Sequence, residues 1–363
     1  MTARRVVAFG GGHGLSASLR ALRHCAPELD FDITAVVTVG DDGGSSGRLR
    51  AERGGLPPGD LRQALVALAG DHPATRRSAG LFQHRFAASA GVPQTAAGDP
   101  TDLAAAGGSA GPAAAGGSTG PAAAGGVAGP AAGGDGLAGH AVGNLVLCGL
   151  MELLGDPVAA LEHAGAMLGT VGRVLPMSRQ PVGIEARVRG ADPAAPDEVH
   201  TVRGQHQVAV TTGRVESLRL TPAAPAACAE AIEAIMAADW LIFGPGSWYT
   251  SVLPHLLVPQ LADAIVSTSA RRLVTLNLAA EKETLGLSVA GHLAALHQYL
   301  PELKVDLVLA DAKAVGDPEP VERAAESLGA RLVLAPVAVS DGTPRHDPAA
   351  LGAALVPVLR ADR

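Results

Sequence analysis

The chain has 363 residues, 47% of them hydrophobic but only 2% aromatic, so Ala, Val, Leu and Gly must fill its core. A net charge of −7 argues against general binding to nucleic acid or an anionic membrane, although helix N-termini and a few arginines can still hold a phosphate locally. The cysteines, Cys25, Cys148 and Cys228, are odd in number and lack metal-ligand spacing, which fits free thiols in a reducing cytoplasm.

At the amino end, Arg4-Arg5 before an apolar run has the outline of a signal peptide, but Val6–Phe9 is too short and meets three glycines. No stretch reaches the ~20 apolar residues of a membrane span. Val6–Phe9 instead reads as a strand, Gly10–Gly14 as a turn, and Leu15–Leu22 as a helix with Leu15, Leu19 and Leu22 on one face. Gly11, Gly12, His13 and Gly14 let the backbone approach a ligand, and the helix start aims unpaired N–H groups at it. The turn lacks the Lys-Ser/Thr of a P-loop, and Leu15 stands where a dinucleotide fingerprint has its third glycine. A turn serving only tight packing is the alternative.

The second junction runs from residue 36 to 50. Val36–Val39 reads as a buried strand spilling into a loop of Asp41, Asp42, Gly43, Gly44, Ser45, Ser46 and Gly47, followed by Arg48. Backbone N–H groups, hydroxyls, carboxylates and a guanidinium suit a phosphorylated ligand. Asp41 and Asp42 are the metal candidates, because Mg²⁺ binds through one or two carboxylates plus phosphate oxygens; an aspartate that merely turns the loop is the alternative. In LPPGDLRQALVAL, Asp60 reads as a helix N-cap or as a metal or ribose contact, with Leu61, Leu65 and Leu68 inward. Arg62, early in that helix, opposes the dipole unless an anion lies nearby, so it is a ligand candidate.

Residues 104–130 repeat AAAGGSAGP, AAAGGSTGP and AAAGGVAGP. Units this small cannot bury enough surface to offset backbone entropy, so 91–139 reads as a disordered insertion within a single α/β domain spanning 1–363. Beyond it, Asn144 either caps a helix or reads a base or sugar edge with its amide.

Alternation through Val182–Val188 and Gln207–Leu220 makes 170–221 a β-rich subdomain. The third junction is strand Leu241–Phe243, loop Gly244-Pro245-Gly246-Ser247, then a helix; Ser247 caps it or donates to a phosphate. Strands at Arg272–Leu278, Asp306–Ala310 and Leu332–Ala335 alternate with helices at Pro259–Val266, Ala290–Tyr299 and Pro348–Leu359. Before the last helix, Asp347 is a natural N-cap, and Arg345 offers a planar fork for a diphosphate. The pattern predicts a doubly wound, mainly parallel Rossmann-like sheet with its ligand at the strand carboxyl ends. No nucleophile–base set and no zinc spacing emerge.

GGGHGLS, VTVGDDGGSSGRLR, LPPGDLRQALVALA, LFQHRF, GHAVGNLVLCGL, GPGSWYTSVLPHLLV and RHDP together resemble the gluconeogenesis factors, bacterial cytoplasmic relatives of phospholactate transferase. The resemblance covers nearly everything but the repeats. It departs at His13, where Thr is common, and at Ala280–Thr284, where Pro-Gly-Glu-Thr is usual. It implies a core that holds a UDP-sugar, UDP-N-acetylglucosamine above all, and a role in cell shape and growth on gluconeogenic carbon without an established reaction. It also favours ligand contact for Asn144 and, from the transferase, metal or substrate contact for Asp41 and Asp42. The expectation is therefore a cytoplasmic UDP-sugar-binding regulator, with Mg²⁺ as its only candidate cofactor. A homo-oligomer and an unidentified regulatory partner stay open. The alternative is a Mg²⁺-dependent transferase of the phospholactate transferase type.

Overall fold

A computed structural model describes residues 3–25, 28–87, 136–192, 194–284 and 287–360. Its contacts gather 1–85 and 140–363 into one unit, and 86–139 form another. The repeats lie outside the described residues. In the larger unit, seven strands build one parallel sheet: β1 (Arg4–Gly10), β2 (Phe31–Val37), β3 (Arg173–Pro176), β7 (Trp240–Phe243), β8 (Arg271–Thr275), β9 (Leu307–Asp311) and β10 (Arg331–Ala335). Their order is β10-β9-β8-β7-β1-β2-β3, so the winding reverses between β1 and β7.

Val6–Phe9, Ile33, Ala35–Val37 and Leu241–Phe243 are buried, as strands covered on both faces require. Phe9 stacks on Phe243 across the reversal, ring centroids 4.8 Å apart, and His255 meets Phe9 edge-on. A ring pair of this kind contributes about 0.5–1.5 kcal/mol beyond its burial. Helices α1 (Gly12–Cys25), α2 (Gly44–Arg53), α3 (Pro58–Leu68), α4 (Pro73–Gln83), α5 (Val142–Leu154) and α6 (Pro157–Leu168) precede β3. Leu15, Leu19 and Leu22 of α1 and Leu61, Leu65 and Leu68 of α3 face inward as their spacing predicts. Later helices occupy Ala229–Ala237, Pro259–Ser267, Val289–Tyr299, Glu319–Ser327 and Pro348–Arg360. No helix among the described residues is long and apolar enough to cross a membrane.

A small antiparallel sheet holds β4 (Gly183–Arg189), β5 (Val199–Arg203) and β6 (Arg214–Thr221) in the order β5-β4-β6. Three expectations are corrected here. Arg173–Pro176 pairs parallel with β2 and so belongs to the main sheet. Gln207–Val210, the start of the second alternating run, lies in helix α7 (Gln205–Val210). The glycine–serine stretch after Gly43 is helix α2 rather than loop, because Ser45, Ser46 and Leu49 are buried and packing outweighs weak propensity.

Candidate functional site

The turns after β1 and β7 meet at the reversal of strand order, where doubly wound sheets hold ligands. They touch through backbone. A Cβ at Gly14 would stand 2.3 Å from the Pro245 carbonyl oxygen and 2.5 Å from Gly246 Cα. At Gly11, a Cβ would meet Asp60 Oδ2 at 2.4 Å and Thr38 Oγ1 at 2.5 Å.

The second turn is held from several sides. Ser18 Oγ donates to the Gly244 carbonyl at 2.7 Å. Asn277, just past β8, grips Gly246 with both ends of its amide: Oδ1 accepts from the Gly246 N–H at 2.8 Å, and Nδ2 donates to its carbonyl at 2.9 Å. Ser247 Oγ donates to Glu283 Oε1 at 2.6 Å, and the Tyr249 N–H donates to the same oxygen at 2.9 Å. Glu283 thereby does for the π-helical turn Trp248–Val252 what an N-cap does, and Ser247 makes no side-chain cap bond. Burial pushes the Glu283 carboxyl up to about 7, against those same hydrogen bonds.

Both turns open on a cavity of about 920 Å³, within the range of small-molecule sites. Gly11, Gly12, His13, Gly14, Asp60, Arg62, Gly246, Ser247 and Arg345 line it, so nine of the sequence candidates come together. Gly244 does not line it, although its neighbour Pro245 does. Arg20, Gln83, Arg85, Asn277, Glu281 and His346 also line it and were not singled out from sequence. The available signal for Asn277 was a lone amide at the carboxyl end of a predicted strand.

Asp60 does not cap its helix. Pro57 is the N-cap, and Asp60 lies inside the first turn, 7% exposed, with Thr38 Oγ1 donating to its Oδ2 at 3.2 Å. Burial, then the charge of Asp41, raises its carboxyl to about 7; the Thr38 hydroxyl and the Gly12 N–H oppose this. Arg62 is 3% exposed, and burial followed by the charge of Arg85 lowers it to about 10. Arg345 is exposed, bonded to Asp341 Oδ2 at 2.6 Å and to Thr343 Oγ1 at 2.9 Å. Asp347 caps the last helix as expected, accepting from Ala349 and Ala350.

The remaining candidates do not line the cavity. Asp41 and Asp42 turn to different partners. Asp41 Oδ1 accepts from the Gly43 N–H at 3.0 Å, and its Oδ2 lies against Gly59. Asp42 Oδ1 accepts from the His206 N–H at 2.8 Å, tying the segment to α7. Among the described residues, no group of three or more His, Cys, Asp or Glu side chains is placed to hold a metal. Ser45 and Ser46 are buried at the start of α2, and Arg48 is exposed on it. Asn144 does not cap α5, whose N-cap is Ala141; it reaches Arg62 and Ser45 instead.

The model for the family described as 2-phospho-L-lactate transferase CofD matches residues 6–334. A Mycobacterium tuberculosis protein named "Putative gluconeogenesis factor" is 45% identical over 98% of this chain and 91% of its own length. The chain belongs to the gluconeogenesis factor family. A Bacillus subtilis member named "Gluconeogenesis factor" is 32% identical over 91% of this chain and 84% of its own. A crystal structure of a UPF0052 family protein from Bacillus halodurans superposes with a TM-score of 0.74 at 29% identity, covering 98% of this chain and 99% of that one. The gluconeogenesis factor fold is thus the frame of the cavity described above.

Proposed function

We propose that this gluconeogenesis factor is a cytoplasmic receptor for a UDP-sugar, UDP-N-acetylglucosamine in the first instance, acting as a regulator of growth on gluconeogenic carbon and of cell shape. One observation carries the reading: glycine turns from adjacent strands flank the reversal of sheet order and open on one cavity that also holds Arg62, Arg85 and Arg345. Backbone N–H groups and planar guanidiniums recognise phosphates, and Asn277 and Glu281 offer polar groups suited to a sugar. The names of the relatives point to gluconeogenesis, and the role in cell shape rests on the family resemblance.

Calorimetry and thermal shift with UDP-sugars, GTP, GDP and NAD, each with and without Mg²⁺, test this. UDP-N-acetylglucosamine at about 100 times its dissociation constant should add roughly 2.7 kcal/mol of stability. A shift with GTP or GDP and none with UDP-sugars refutes the reading.

The second reading, a transferase, is favoured by the family model's own description. Phosphoryl-type transfer rests on positioning and charge, so it demands no side-chain nucleophile. Multiple-turnover release of UDP or UMP from UDP-N-acetylglucosamine with candidate acceptors would establish it.

A further inference from the structure

Arg62 sits in an unusual electrostatic position for a buried cation. Its guanidinium is held by two neutral amides: Nε donates to Asn144 Oδ1 at 2.8 Å, and Nη1 donates to Gln83 Oε1. Among the described residues no carboxylate forms an ion pair with it, and Nη2 has no hydrogen-bond partner. Asn144 is itself fixed. Arg62 Nε can only donate, so it selects the amide oxygen, and the Asn144 Nδ2 then donates to Ser45 Oγ at 2.9 Å. Ser45 Oγ lies 2.9 Å from His140 Nδ1. Ser45, His140 and Asn144 are 6%, 3% and 1% exposed, so the chain from α2 to the base of α5 is internal.

A buried cation without an ion-paired carboxylate is destabilising; the charges of Asp60 and Asp41 favour it only through space, and burial and the repulsion of Arg85 on the same cavity wall outweigh them. Neutral amides fix the direction of the guanidinium without neutralising it. The arrangement suits a group whose counter-charge arrives with a ligand.

We propose that Asn144 and Ser45 are positioning residues that aim Arg62 into the cavity as the anchor for a diphosphate, and that Asn144 touches no ligand itself. This rests on the reading of the cavity as a nucleotide-sugar site and names the residues that make it selective for the phosphate portion. Inorganic pyrophosphate is therefore a sufficient probe of the anchor, and UDP-N-acetylglucosamine a probe of the whole site.

The test compares the wild-type chain with Asn144→Asp and Ser45→Ala by calorimetry against pyrophosphate and UDP-N-acetylglucosamine, with ligand-free melting temperatures alongside. Asn144→Asp keeps the acceptor for Arg62 Nε but puts a negative charge in direct contact with the guanidinium. Expected is at least tenfold weaker binding of both probes, with a ligand-free melting temperature equal to or above wild type. A merely structural role would lower the melting temperature instead. Ser45→Ala, which loosens the aim and adds no charge, should weaken both probes by a smaller factor. Wild-type affinity in Asn144→Asp overturns the inference and leaves the proposed function standing. Pyrophosphate binding that Asn144→Asp abolishes, with no binding of any UDP-sugar by the wild type, supports the anchor and refutes the proposed function. No binding of either probe by the wild type overturns both.

Discussion

Replacing Gly14 by Ala tests whether the two glycine turns form one rigid cradle. The new methyl would stand 2.3 Å from the Pro245 carbonyl oxygen, and real contacts of this kind do not fall below 3.0 Å, so the turns must open by at least 0.7 Å. The obstructing atoms are backbone, and that backbone is pinned by Asn277 and Ser18. Overpacking of this sort costs about 1–3 kcal/mol, against a helix-propensity gain of up to ~1 kcal/mol from Gly to Ala. With the propensity gain at its full value the net loss is up to about 2 kcal/mol, which should lower the melting temperature by up to roughly 8 °C. On the proposed function, UDP-N-acetylglucosamine affinity should fall at least tenfold, because both turns open on the same cavity. Gly80→Ala in α4 and Gly149→Ala in α5 are the controls: nothing lies within 4 Å of either added methyl, so both should stabilise by up to ~1 kcal/mol. If Gly14→Ala melts at or above wild type while the controls gain stability, the contact between the turns does not matter to the fold.

Asp60 makes stability depend on pH with a definite sign. Its folded carboxyl is raised from 3.8 to about 7, so the native state keeps a proton that the unfolded chain releases; that stability is full below pH 3.8 and is lost as pH rises through about 7. The melting temperature of Asp60→Asn relative to wild type should therefore climb between about pH 4 and pH 8, and a flat difference would contradict the burial argument. Asn277→Ala removes both bonds to Gly246 and should cost about 1–3 kcal/mol by denaturant titration, with weaker UDP-sugar binding; an unchanged midpoint would show that the turn holds itself. Glu283→Gln keeps one acceptor for Ser247 and Tyr249, whereas Glu283→Ala keeps none, so affinity should survive largely in the first and drop in the second; equal losses would mean that the charge, not the capping, matters.

Much of the architecture is legible locally. Strand, glycine turn and helix follow one another within a dozen residues around Gly11 and Gly244, and apolar periodicity marks which face of each helix turns inward, as with Leu15, Leu19 and Leu22. Parallel pairing and a site at the strand carboxyl ends follow from that alternation. The stretch around Ser45 misleads for a local reason: glycine and serine favour turns by themselves, and only the burial of α2 makes them helical.

What belongs to the tertiary structure is who meets whom. β1 and β7 become neighbours although more than two hundred residues of chain separate them, and that adjacency brings the two glycine turns into contact. Adjacent Asp41 and Asp42 part company because one is taken by its own loop and the other by the His206 N–H. Asn144, Asn277 and Glu283 acquire their roles from partners far away in sequence. A side chain's short-range chemistry is written in its residue type, but a hydrogen-bond partner across the fold is selected only when packing has removed water and left that partner as its only alternative.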